Sequence, residues 1–150
     1  MKRHSVTAGE LVAQLETDPD YQARMRQRRA ELAPIWEQRR KDEARLVEEL
    51  RTAGFQVESV FDLVNTAEEY PQALPILVRH LDLHHDPCIR DGIIRALTIK
   101  YGGVGIEEAL LRHFYAESDS QIRWTLANAL TVAMPPTRRK RHPEIKMCTS

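Results

Sequence analysis

Apolar residues recur at helical spacing in two stretches of this chain, 86–99 and 119–132. In each stretch they fall three or four residues apart, so that they lie on one side of a helix. The two apolar stripes consist of Ile89, Ile93, Ala96 and Leu97 in the first stretch and Ile122, Leu126, Ala129 and Leu130 in the second. The pattern predicts two amphipathic helices, each with one side buried.

The two stretches repeat each other at a constant offset of 33 residues. Carried backwards, the same offset also pairs the segments that precede them, through Leu77 with Leu110, Arg79 with Arg112 and His80 with His113. Each repeating unit is therefore predicted to contain two helices. One further step back finds a degenerate first unit in Val60, Leu63 and Val64. Three units are the usual minimum for a stack that buries its apolar faces between neighbours.

The residues DPCIR...AL and DSQIR...AL resemble the HEAT-repeat family over roughly residues 57–132. The resemblance implies an all-α fold, namely a short α-solenoid of about three HEAT-like two-helix repeats. It also implies that the Asp and Arg residues link neighbouring units as a ladder. In this chain the residues that match the ladder are Asp86, Arg90, Asp119 and Arg123.

Residues 1–53 are predicted to form a long N-terminal helical arm whose last turns cap the repeats. Thr7 and Glu10 make a capping box for a first short helix, and Gly54 is a natural stop for the second. Pro34 lies inside that second helix, where we expect a kink or a break. The remaining chain divides into a repeat body, 54–134, and a basic, flexible tail, 135–150.

Composition favours a single intracellular protein without a global charge preference. Lys and Arg number 22, as do Asp and Glu, but residues 54–134 carry eleven acidic and six basic side chains. Cys88 and Cys148 are too few and too far apart for a disulfide scaffold or a zinc site. No apolar run is long enough for a signal peptide or a membrane span, so we expect a cytoplasmic protein without a membrane partner.

The sequence offers little for catalysis, and we expect no enzyme, metal or cofactor. His80, His84 and His85 are close in sequence, but no Glu or Cys completes a tetrahedral metal site near them, and His113 at the His80 position suggests a repeated surface residue. The glycine-rich loop 101–105 precedes two glutamates, which would repel a phosphate. No nucleophile is spaced for activation by a neighbouring base.

A more informative set of residues lies on the other side of the second helices. Three positions per unit, at i, i+4 and i+7, should share one exposed face that continues from unit to unit. We call it the nine-residue face, and it consists of Glu58, Asp62 and Asn65, then Asp91, Arg95 and Thr98, then Trp124, Asn128 and Thr131. A large aromatic residue among small polar ones is typical of a binding hot spot. The residues predicted to bind a partner are Glu58, Asp62, Asp91, Arg95, Trp124 and Asn128.

These patterns favour a non-catalytic module for protein–protein interaction, of which an inhibitor or immunity-type protein is one form. The acidic residues of the face would favour a basic protein partner on a concave surface. The alternative is a nucleic-acid-binding protein similar to the HEAT-like DNA repair glycosylases, which would contact phosphates through Arg138, Arg139, Lys140 and Arg141. A third interpretation is a homo-oligomer closed through the uncapped C-terminal end of the stack.

Overall fold

The computed structural model describes residues 6–150, and every regular element in that range is a helix. This confirms the all-α prediction; the first five residues of the predicted arm lie outside the described range. The helices are α1 (Ala8–Thr17), α2 (Pro19–Thr52), α3 (Phe61–Asn65), α4 (Leu74–Leu81), α5 (Pro87–Ala96), α6 (Val104–Ala116), α7 (Ser120–Ala133), α8 (Pro136–Arg139) and α9 (Pro143–Thr149), with a 3-10 turn at Pro71–Ala73. None of these helices is both long enough and apolar enough to cross a bilayer.

The chain divides into two compact units, of which the first ends at Gln38. In this unit α1 begins at the predicted capping box, where the amide of Glu10 donates to Thr7 Oγ1 and the amide of Thr7 donates to Glu10 Oε2. The second helix continues through Pro34 without the break that we considered. No residue from 6 to 38 is buried.

The second unit, Arg39–Ser150, contains the hydrophobic core. It begins within α2, because Leu46 and Leu50 in the last turns of that helix are completely buried. The compact body therefore starts at residue 39, whereas the sequence placed its start at 54. Gly54, with a φ of +101°, follows the end of α2 as predicted.

Helix contacts within this unit follow the predicted pairing. α4 packs on α5 and α6 on α7, while α3 contacts α5 and α5 contacts α7. The second helices of the three predicted units are thus neighbours in order. Gly92 permits the close approach of α3 to α5, since a Cβ atom there would lie 2.8 Å from Val60 Cγ1 and 3.0 Å from Phe61 Cζ.

The predicted Asp and Arg ladder takes another form. Asp86 and Asp119 cap the N-termini of α5 and α7 through backbone amides. Arg90 pairs with Glu117, and the guanidinium of Arg123 lies 4.8 Å from the centre of the Phe114 ring. In the part of the chain that the structure describes, these aspartates and arginines stabilise their own helix ends and neighbouring side chains, and they do not pair with one another.

The prediction of a flexible tail at 135–150 is wrong. The segment forms α8 and α9, and α9 packs on α7 with Ile145 completely buried. Cys148 packs against the same core, and Tyr115 Oη lies 2.7 Å from His142 Nδ1. The few apolar residues of this segment suffice because α7 supplies the other side of the contact. The end of the stack that the sequence left uncapped is therefore covered by α9.

Candidate functional site

The structure places all nine residues of the nine-residue face outside the core. Glu58, Asp62, Asn65, Arg95 and Trp124 are exposed, and the others are half-buried. The side chain of Trp124 is 45% exposed, an unusual amount for a tryptophan. Neither α9 nor any other described element covers it.

Four residues of the face meet at one depression between α5 and α7. Its volume is about 280 Å³, and its lining includes Arg95, Thr98, Trp124 and Asn128. The floor is formed by Val64, Thr125 and Ala129. The amide nitrogen of Asn128 donates to the carbonyl of Trp124 at 3.0 Å, so the side chain is held beside the indole by its own helix. This depression combines an aromatic surface, a guanidinium and a side-chain amide, which suits a protein contact.

Asp91 positions Arg95 and joins the two helices. Its Oδ2 accepts from Arg95 Nε at 2.5 Å, and its Oδ1 accepts from Thr125 Oγ1 at 2.7 Å. Both carboxylate oxygens are thus used within the protein. Asp91 therefore offers a partner little free negative charge, although the sequence counted it among the acidic contacts.

The two acidic residues of the first unit lie elsewhere on the surface. Asp62 Oδ2 accepts from the backbone amides of Glu58 and Ser59, at 2.8 and 3.2 Å, and so stabilises the chain turn before α3. Asp62 also lines a different depression, together with Glu68, Glu69 and Tyr70. The structure therefore separates the nine-residue face into an aromatic and polar part at Trp124 and an acidic part at Asp62.

Sequence analysis missed Glu68, Glu69 and Tyr70, which lie in the loop after α3. This loop has no partner in the other repeat units, so the offset of 33 residues does not reveal it. Tyr70 Oη donates to the carbonyl of Ala96 at 2.9 Å, and burial raises the pKa of the Tyr70 hydroxyl. The loop is thereby fixed against the end of α5. The signal that could have found it is the acidic pair followed by Tyr-Pro.

The histidines form a buried network, and the interpretation of His80 as a surface residue is wrong. His80 is 1% exposed; its Nδ1 lies 3.1 Å from His85 Nε2 and its Nε2 lies 3.2 Å from Glu49 Oε2. His85 Nδ1 in turn lies 2.9 Å from Asp42 Oδ2. The network links α2 to the segment between α4 and α5. In the described residues no group of three or more His, Cys, Asp or Glu side chains could hold a metal ion.

Burial and ion pairing shift the pKa values of this network in opposite directions. Burial lowers the pKa of His80, although its contact with Glu49 opposes the shift. A hydrogen bond from Arg79 lowers the pKa of Glu49 to about 2. Glu43, one turn before Val47, is also buried, and burial raises its pKa although it accepts from Val60 N and Ser59 Oγ, each at 3.1 Å. These groups stabilise the packing of α2, and none faces the depression at Trp124.

Two of the four basic residues proposed for nucleic acid are engaged within the chain. Arg138 Nη1 lies 3.0 Å from Oε2 of the buried Glu107, and the guanidinium of Arg139 donates to the carbonyl of Thr131. Lys140 and Arg141 are exposed. The basic segment therefore serves in part to fix α8 to the core.

Comparison with protein-family models, with curated proteins and with solved structures finds no match for this chain.

Proposed function

We propose that this protein is a short α-solenoid of HEAT-like repeats that acts as a non-catalytic protein-binding module. The repeated helix pairs support this architecture, because α4 with α5 and α6 with α7 share the offset of 33 residues and equivalent aspartate caps. The observation that carries the function is Trp124, a large aromatic residue left exposed at a depression beside Arg95 and Asn128. An inhibitor or immunity-type protein is one form of such a module.

Partner binding at this depression would bury the indole and use the fixed guanidinium of Arg95. Aromatic residues and arginine dominate the energetics of many interfaces, where truncation of a hot-spot residue costs about 2 kcal/mol or more. Asp91 and Thr125 hold Arg95 in place, which reduces the entropy that binding must remove.

The alternative of nucleic-acid binding has less support. Arg138 and Arg139 are engaged with Glu107 and Thr131, which leaves Lys140 and Arg141 as the exposed bases of the predicted contact. Two bases would supply only a small share of the electrostatic affinity that several phosphate contacts give. Closure of a homo-oligomer through the C-terminal end of the stack is likewise weakened, since α9 covers α7 there.

Trp36 provides a matched control for a test of the proposal. Its side chain is 47% exposed, close to the 45% of Trp124, but it lies in the first compact unit. The full chain, Trp124→Ala and Trp36→Ala are each used to capture proteins from a nuclease-treated lysate of the source cells. We expect a stoichiometric protein that is retained by the wild type and by Trp36→Ala and lost by Trp124→Ala.

Equal capture by Trp124→Ala would remove the depression from consideration as the binding site. Capture of nucleic acid alone, when nuclease is omitted, would favour the alternative function. Circular dichroism of each variant shows whether the helices are intact.

A further inference from the structure

Two adjoining depressions lie between α3, the loop after it and the end of α5. The first has a volume of about 360 Å³ and the second about 370 Å³, and both are lined by Glu68, Glu69 and Tyr70. They therefore form one continuous groove, which we call the Tyr70 groove. Its other lining residues include Asp62 at one end and Leu74, Thr98 and Ile99 at the other.

One end of the Tyr70 groove is apolar. Pro71, Leu74 and Ile99 line it beside the ring of Tyr70, and Leu74 and Tyr70 pack against the core. The hydrogen bond from Tyr70 Oη to Ala96 fixes the ring, so this end is preformed. A preformed apolar surface can accept an apolar side chain without the cost of ordering a loop.

The other end is acidic, and its charge is not neutralised within the protein. Asp62, Glu68 and Glu69 line it, and neither depression has a Lys or Arg in its lining. In residues 6–150 none of these three carboxylates forms an ion pair. By contrast, Asp91 and Glu107 are paired with arginines. The charge of the groove is therefore available to a cation from outside the chain.

We propose that the Tyr70 groove binds a linear segment of a partner protein in which a lysine or arginine adjoins an apolar residue. The cation lies among Asp62, Glu68 and Glu69, and the apolar side chain packs on Tyr70, Leu74 and Ile99. Thr98 lines both this groove and the depression at Trp124, so one partner can occupy both. The inference rests on the proposed protein-binding function, and it moves the contact for a basic partner from Asp91 to the loop after α3.

A library of random twelve-residue peptides displayed on phage is selected on the full chain at about 0.15 M salt, where long-range attraction is largely screened. We expect the selected peptides to be enriched in Lys or Arg next to Leu, Ile or Phe. The best peptide is then synthesised, and its affinity is measured by calorimetry for the wild type and for variants. The double variant Glu68→Gln with Glu69→Gln should bind it at least tenfold more weakly.

Glu48→Gln with Glu108→Gln is the matched control, because it removes the same charge from exposed glutamates that do not line the groove. This control should bind the peptide as the wild type does. Equal affinity of the groove variant and the wild type overturns the inference. So does a selection without basic residues, or one that yields no peptide above background.

Failure of this inference can be told apart from failure of the proposed function. Peptides that ignore Glu68 and Glu69 but bind Trp124→Ala weakly would leave the function in place and remove the groove. Peptides that depend on the two glutamates, together with a cellular partner that binds Trp124→Ala as well as the wild type, would leave the groove and remove the Trp124 site.

Discussion

Residues 6–38 and residues 39–150 are both helical, but their helices are stabilised by different means. The first region has no buried residue, and α1 begins at a capping box. The second region buries a continuous cluster of apolar residues from α2 to α9, together with charged groups such as Glu43 and Glu107. Helical sequence alone therefore does not tell where the free energy of folding is located, since most helical stability in proteins comes from packing.

The same difference applies to exposed apolar side chains. Leu11, Val12, Ile35 and Trp36 are about half exposed in the first region, whereas Trp124 stands out in a region whose other large residues mostly enter the core. Exposure at Trp124 is thus the more informative observation, because the surroundings could have buried it.

The largest expected contrast comes from one substitution made in both regions. Leu50 is completely buried and Leu11 is 52% exposed. We expect Leu50→Ala to lower the free energy of unfolding by about 2–5 kcal/mol, because it removes buried methyl groups and leaves a cavity. Leu11→Ala should change it by less than about 0.5 kcal/mol. Urea unfolding of both variants measures the difference, and similar losses would contradict the division into the two regions.

A second contrast lies within the C-terminal segment. Arg138 pairs with the buried Glu107, whereas Arg141 is exposed. Arg138→Met should lower the free energy of unfolding by about 1–3 kcal/mol, since it leaves a buried carboxylate without its partner. Arg141→Met should have little effect. If the paired charge is the cause, Glu107→Gln in the Arg138→Met background should recover part of the loss; no recovery would assign the loss to packing alone.

The buried histidine network predicts a pH dependence of the second region. Burial lowers the pKa of His80 below its usual 6.5, so the unfolded chain binds a proton that the folded protein does not. The free energy of unfolding should therefore fall as the pH is lowered below 6.5, with a slope of at most about 1.4 kcal/mol per pH unit from this group. Urea unfolding at pH 7 and pH 5 should show a smaller decrease for His80→Gln than for the wild type. His84→Gln, at an exposed position, should keep the wild-type decrease.

The smallest effect is expected at the start of α1. Thr7→Ala removes the acceptor for the amide of Glu10 and should destabilise this helix by about 1 kcal/mol. Because no residue of the region is buried, the loss should appear as faster hydrogen exchange in α1 and not in the urea midpoint of the whole chain. Thr17→Ala, at the other end of α1, is the control. A shifted urea midpoint for Thr7→Ala would show that the first region unfolds together with the second.

Much of the fold could be predicted from local patterns. The apolar spacing placed α5 and α7, the repeat placed α4 and α6 before them, and Asp86 and Asp119 marked where α5 and α7 begin. These features depend on residues within one or two turns of each other. The candidate site was predicted only in part: Arg95, Trp124 and Asn128 share a depression, but Asp62 lies in another one.

The amino-acid sequence by itself determined the helical repeats and the exposed side of the second helices, because a period of 3.6 residues is a local property of the chain. Only the tertiary structure decided which charges are available to a partner. Asp91 and Arg138 are engaged by residues far away in the sequence, while Glu68 and Glu69 are not. It also decided that α9 covers α7, because a single buried Ile145 suffices once α7 provides the opposing surface.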